Sequence, residues 1–259
     1  MNNPLASSGG VGYFREYSEK NKQADLLKIR DRRMEFLISP GNICEFPTKI
    51  YVLNLDRRED RWSTSRQIND SFFRNFEVER FPAIEGKKPA DSIFESFLSC
   101  LDKAFETNET IIIMEDDAYV VEGGFEKIRS AFQQLPENWD CLIGNHYSIG
   151  EIEILSEHLA KPVRQASTLN FAIYRKTICE KIRANLHLRD PHLLDIDHFI
   201  TCEEVPINNF TIWPMVSREY TSFSDHKGKV KDMTMRIREN AYLYQFVDSH
   251  IYYPSLQDW

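Results

Sequence analysis

Two rhythms of apolar and polar positions run along the chain. Unbroken apolar runs, "KIYVLNL" at 49–55 and "TIIIM" at 110–114, have strand length and β-rich composition. Their lack of alternation suits strands covered on both faces, as in a parallel sheet. Elsewhere apolar residues recur at helical spacing. Ile93, Phe94, Phe97, Leu98, Leu101, Ala104 and Phe105 predict a helix over 91–106 with Asp91 as its N-cap, and "FEKIRSAFQQL" at 125–135 predicts another. "ERFPAIEG" at 79–86 reads as a short strand ending at a glycine turn, and "WDCLIG" at 139–144 as the next strand. Strand–helix–strand–helix–strand with short connections predicts an α/β fold of the doubly wound kind: a mostly parallel central sheet flanked by helices.

The two ends are less regular. "TLNFAIYRKT" (168–177) reads as strand or turn, "KTICEKIRANL" (176–186) as helix and "FTIWPMV" (210–216) as strand, with a last helix expected around 232–247. The first twelve residues are small, polar and glycine-rich. A charge-mixed stretch over 14–38 has enough Leu, Ile, Met and Phe for a helix, and "SPGN" at 39–42 breaks it. Residues 1–46 are therefore expected to be an extension, partly flexible and then helical, preceding a domain over 47–259.

Composition narrows the class. The chain has 259 residues, of which 42% are hydrophobic and 28% charged, which fits one large α/β domain or two small ones. A net charge of −8 gives little non-specific attraction to nucleic acid, although Arg30, Arg32 and Arg33 could form a local basic strip. Five scattered cysteines without a C-x-x-C argue against a disulfide framework or zinc knuckle and for a reducing compartment. No apolar run approaches the roughly 20 residues that span a bilayer, and no signal-peptide core precedes the first strand. The expectation is a soluble, cytoplasmic protein.

The chemistry gathers after the second apolar run, where Glu115, Asp116 and Asp117 follow one another. Three adjacent carboxylates at the carboxyl end of a buried strand repel one another, and strand ends are where ligands collect in open α/β sheets. A hard cation, Mg²⁺ or Mn²⁺, would offset the repulsion and bridge to a phosphate. The alternative is an acidic turn. The first strand likewise ends in Asn54 and Leu55 and runs into Arg57, Arg58 and Arg61, which can grip phosphates bidentately or form a surface network with Asp56, Glu59 and Asp60.

"KIYVLNLDRREDRW", "FPAIEGK", "IIIMEDDAYV" and "ENWDCLIGN", in this order over 49–144, resemble the family 25 glycosyltransferases, which include lipooligosaccharide and collagen-type galactosyltransferases. "TLNFAIYRKTICEKI", "DIDHFI" and "WPMVSREYTSFSDHKG" continue the resemblance more weakly. It implies a GT-A fold, a nucleotide-diphosphate sugar donor such as a UDP-sugar, a divalent metal, usually Mn²⁺, and inverting transfer. Carried over by residue, Asn54, Leu55, Arg58 and Arg61 would line the nucleotide end, with Ala83 and Glu85 near the base and ribose. Glu115 and Asp116 would face the donor, and Asp117 would hold the metal. The family often has Ser-His after the "AIDG"-like segment, whereas here Ser99 is followed by Cys100.

Inverting transfer needs a general base and a stabiliser for the departing diphosphate. "HLLDIDHFI" offers Asp197, then Asp195, as the base, with helix capping as the structural alternative. In "SFSDHKG", His226 has the chemistry to complete a metal shell, and Lys227, Lys229 and Lys231 could approach a diphosphate. Two other classes stay open: a metal-dependent phosphoryl hydrolase or nuclease, and a sugar-nucleotide-binding protein without catalysis. The acceptor could be a glycan, a protein hydroxyl or a hydroxymethylated DNA base.

Overall fold

The computed structural model of the chain describes residues 28–33, 41–86, 88–145, 151–162, 170–189, 196–201, 204–224 and 229–231. In chain order, the first half comprises β1 (Lys28–Asp31), β2 (Lys49–Asn54), α1 (Glu59–Ile68), α2 (Asp70–Phe73), β3 (Glu77–Pro82), α3 (Pro89–Ala104), β4 (Thr110–Glu115) and β5 (Ala118–Val120). Next come α4 (Gly124–Gln133), β6 (Cys141–Ile143), β7 (Glu151–Ile154), β8 (Leu159–Pro162), β9 (Phe171–Arg175) and α5 (Thr177–Asn185). The last are α6 (Ile196–Thr201), β10 (Asn209–Ile212), β11 (Ser217–Glu219), β12 (Ser222–Ser224) and β13 (Lys229–Lys231).

Nine strands form the central sheet in the order β1-β7-β8-β10-β6-β9-β4-β2-β3. The pairings make seven strands run one way, with only β8 and β9 reversed, so the sheet is mostly parallel as the pattern predicts. Its centre is apolar on both faces. Along β4, Ile111 and Ile113 pack under α3, α5 and α6 with Phe97, Leu101, Ile178 and Phe199. Ile112 and Met114 face the opposite way, toward Phe72 of α2 and Ile128 and Phe132 of α4. Strand alternation thus divides a continuous apolar run between two cores. Pro89 sets the start of α3, two residues before the expected cap, because a proline at the first helical position has no N–H to leave unpaired.

The differences lie at the margins. Where a helix is expected over 14–38, residues Lys28–Asp31 instead form an edge strand parallel to β7, and the Arg32 N–H reaches the Ile154 carbonyl at 2.8 Å. The open edge of β7 supplies backbone partners that outweigh a modest local helix preference. The "ERFPAIEG" strand begins and ends earlier, at Glu77–Pro82. Phe171–Arg175 is a strand, antiparallel between β4 and β6. The "SFSDHKG" stretch begins as one arm of a β12–β13 hairpin. The expected helix at 232–247 lies outside the described residues.

Candidate active site at the ends of two neighbouring strands

β2 and β4 are parallel neighbours, with Leu53 opposite Glu115, so their carboxyl ends emerge side by side. This register sets Asn54 against the acidic triplet. Asp116 and Asp117 form the turn between β4 and β5, and β5 is held on both edges. One edge pairs with β11, and on the other Asn69 donates to the Ala118 carbonyl and accepts from the Val120 N–H, each at 3.0 Å. Tyr220 closes the turn: its N–H donates to the Asp117 carbonyl and its hydroxyl to the Asp116 carbonyl, both at 2.9 Å.

Inside this frame the charges meet. Asn54, 1% exposed, donates from Nδ2 to Asp116 Oδ2 at 2.7 Å and to the Arg58 carbonyl at 3.0 Å, and accepts from Arg80 Nε at 2.7 Å. Its side chain is therefore engaged behind Asp116. Arg61, in the first turn of α1, reaches Asp116 Oδ1 at 3.0 Å with Nη2, and the same Nη2 pairs with Asp117 Oδ2. Asp117 Oδ1 and Arg61 Nε are buried and have no hydrogen-bond partner.

The electrostatics follow from burial. Asp116, 6% exposed, is pushed up to about 6 chiefly by burial; Arg61 opposes the shift and the neighbouring Asp117 charge adds to it. Burial works against the Arg61 cation, but Asp117 and Asp116 outweigh it and hold Arg61 firmly protonated. Tyr220 is shifted upward by burial, which keeps its phenol neutral as a donor.

The other arginines are engaged nearby. Arg58 makes a two-pronged pair with Asp60, Nε and Nη2 each at 2.8 Å, and donates to the Phe223 carbonyl at 3.2 Å, tying the β12–β13 hairpin to the site. Arg57 pairs with Glu85 at 2.8 Å, both substantially exposed. Ala83 follows β3, its N–H bonded to the Asn54 carbonyl at 2.9 Å, and the Ile84 N–H bonds Ser96 Oγ of α3 at 2.7 Å. Leu55 accepts the Arg58 N–H at 2.8 Å in the turn into α1. Asn54, Leu55, Arg58, Arg61, Ala83, Asp116 and Asp117 therefore surround one pair of strand ends, with Glu85 on the adjoining surface.

Glu115 diverges from its two neighbours. It shares the face of β4 that carries Ile111 and Ile113, the face covered by α6, and Asp197 lies in the first turn of α6. The charges of Asp197 and Glu115 both reach Tyr174, whose phenol is shifted upward chiefly by burial, then by Cys141, Asp197 and Glu115. Cys100, where the resembled family has histidine, is fully buried in the same core. Asp195 and His226 lie outside the described residues, as do all of residues 225–228.

Sequence reading missed Tyr220, Arg80 and Asn170. Asn170 caps the end of β4 by accepting the Glu115 N–H at 2.8 Å, while its Oδ1 takes a hydrogen bond from Ser217 at 3.1 Å. No local signal marks them, since each gains its role from strands distant in sequence.

Asp116 and Asp117 offer the hard oxygen donors that Mg²⁺ or Mn²⁺ takes, and Asp117 Oδ1, buried without a partner, is an acceptor in want of a cation or donor. Among the described residues no three His, Cys, Asp or Glu side chains converge as a ligand set. No described helix is long and apolar enough to cross a membrane. The four described cysteines, Cys44, Cys100, Cys141 and Cys179, are free thiols.

No family model and no curated protein matches the chain. Among solved structures it is similar to a glycosyltransferase involved in glycosylation of the major capsid of PBCV-1, at 10% identity and a TM-score of 0.48, over 77% of this chain and 100% of that one. It is also similar to the Drosophila β-1,4-galactosyltransferase 7, a mutant in complex with manganese, UDP-Gal and xylobiose, at 6% identity and a TM-score of 0.40, over 82% of this chain and 79% of that one. With both scores below 0.5, neither likeness assigns a role to any residue here.

Proposed function

We propose that the chain is a glycosyltransferase of GT-A type that moves a sugar from a nucleoside-diphosphate donor, UDP for preference, to a hydroxyl acceptor. The observation that carries this reading is the cluster of Asn54, Arg61, Asp116 and Asp117 at the adjoining ends of β2 and β4. It joins paired carboxylates suited to a hard cation with a guanidinium suited to phosphate, at the place where α/β sheets bind ligands. The same residues carry the resemblance to family 25, and that finer assignment belongs to the proposal.

Asp116 and Asp117 would hold a divalent ion, Mn²⁺ or Mg²⁺, which when bound supplies Lewis acidity to the departing diphosphate. Arg58 and Arg61 provide positive charge for the diphosphate, and the backbone from Asn54 to Leu55 and around Ala83 flanks the nucleotide. Asp197, on the α6 side with Glu115, is the general base. It takes the acceptor hydroxyl proton as the acceptor oxygen bonds to the anomeric carbon, and the bond from that carbon to the phosphate oxygen breaks. The nucleoside diphosphate leaves with the electron pair, and a single displacement inverts the anomeric centre. Asp195 and His226 remain the alternative base and the further metal ligand in this scheme.

A panel of labelled UDP-sugars incubated with the protein and Mn²⁺ tests the reading. Release of free sugar from one donor, dependent on the cation, is expected. Cleavage of DNA or phosphomonoesters instead would move the protein to the hydrolase or nuclease class, and tight donor binding without turnover would make it a binding protein.

A further inference from the structure

Two arginines sit three residues apart at the start of α1, and they hold their carboxylates differently. Arg58 meets Asp60 in the two-pronged geometry that planar guanidinium and carboxylate groups favour, with two bonds of 2.8 Å. Arg61 reaches both Asp116 and Asp117 with the same Nη2, and its Nε joins neither. That leaves a donor, Arg61 Nε, and an acceptor, Asp117 Oδ1, both buried and both without a hydrogen-bond partner in the same ion cluster. Each polar atom left over in a buried pair costs stability unless another group meets it, and here a donor and an acceptor are left over in one cluster. The cluster therefore leaves one group suited to an anion and one suited to a cation.

We infer that Arg61 is an internal counter-ion exchanged on loading: it neutralises Asp116 and Asp117 in the ligand-free protein and releases them to the divalent cation, its guanidinium then pairing with the donor diphosphate. This rests on the proposed glycosyltransferase reading and adds an order of events to it. The charges are consistent with such an exchange. Two carboxylates and one guanidinium carry an excess of one negative charge, and adding a divalent cation together with a doubly charged diphosphate leaves that excess unchanged. Either ligand alone would upset the balance in a site shielded from water, so the two should bind with positive coupling through Arg61.

Mn²⁺ binding measured by electron paramagnetic resonance, with and without UDP, tests this on the wild-type protein and on Arg61→Gln. Removing the competing cation should tighten Mn²⁺ binding in the absence of nucleotide by about tenfold. It should also weaken UDP binding in the presence of Mn²⁺ and erase most of the mutual enhancement between the two ligands. A merely structural arginine gives the opposite: Arg61→Gln would bind Mn²⁺ no tighter than wild type, and that result overturns the inference. If Arg61→Gln is unfolded without metal, Mn²⁺ must restore its melting transition to a greater degree than it stabilises wild type; failure to rescue likewise counts against the exchange. Arg61→Lys, which keeps the charge but loses the fork, should retain near wild-type Mn²⁺ affinity and lose UDP coupling. A wild-type protein that binds Mn²⁺ but no UDP or UDP-sugar removes the functional reading and this inference together. One that binds both, with coupling unaltered in Arg61→Gln, removes only the latter.

Discussion

The side-chain amide of Asn54 donates to Oδ2 of Asp116 over 2.7 Å, joining the ends of β2 and β4 through a bond that spans 62 positions of sequence. With its carbonyl oxygen occupied by Arg80 and its second N–H by the Arg58 carbonyl, Asn54 works as a fastener for the turn that carries the aspartates. Asn54→Ala leaves three partners short of a bond, two of those bonds being buried, and should destabilise the fold by about 1–3 kcal/mol. Urea unfolding checks the stability, and donor affinity should fall with it because Asp116 loses its fixed orientation.

The burial of Asp116 makes stability depend on pH with a definite sign. Its carboxyl is pushed up to about 6 from an ordinary 3.8, so between those values the folded chain keeps a proton that the unfolded chain has lost. Stability contributed by this group is present below about pH 4, declines as pH rises to about 6 and is flat above. The difference in unfolding free energy between wild type and Asp116→Asn, followed from pH 4 to 7 in metal-free buffer, should show that decline. A difference that rises over the same range contradicts the assignment.

Asp117→Ala should abolish turnover and leave the fold largely intact. It removes a ligand from the proposed cation and also relieves like-charge repulsion, while Arg61 keeps Asp116 as a partner at 3.0 Å. Circular dichroism and a donor-hydrolysis assay on one preparation separate the two effects.

Much of this was legible in the sequence, and the reasons are physical. The runs at β2 and β4 are too apolar to be anything but strands covered on both sides, and α3 and α4 repeat their apolar residues at helical spacing. Once those strands are parallel neighbours, Asn54 and the acidic triplet must emerge together. Short or polar strands were not legible: β1 carries a helical composition, and β7, β8, β5 and β11 are three or four residues long and gain their identity from pairing alone. Nor could local pattern reveal that Arg61 turns back onto Asp116 and Asp117, or that Tyr220, about a hundred residues downstream, seals their turn.

Asp197→Asn separates chemistry from binding. An amide cannot accept the acceptor proton, so kcat should fall by on the order of 10²–10⁴, while UDP affinity with Mn²⁺ stays at the wild-type value. Equal losses in both would place Asp197 in donor binding instead.

Asp140 provides a control away from the site. It is 1% exposed, accepts from Thr177 Oγ1 at 2.7 Å and the Asn208 N–H at 2.8 Å, and pairs with Lys181. Asp140→Ala should lower stability by roughly 1–3 kcal/mol, with the ion-pair share reduced because Lys181 is partly exposed. UDP and Mn²⁺ affinities at 10 °C should be unchanged within about twofold, since additivity holds for distant sites.

The most direct test of the account is UDP-sugar turnover by wild type and Asp117→Ala, each with Mn²⁺ and with a chelator. Cation-dependent release of sugar by wild type, lost in the variant and in the chelated sample, is the predicted result. Equal turnover in all four samples would contradict the claim that Asp116 and Asp117 hold a cation against the donor diphosphate.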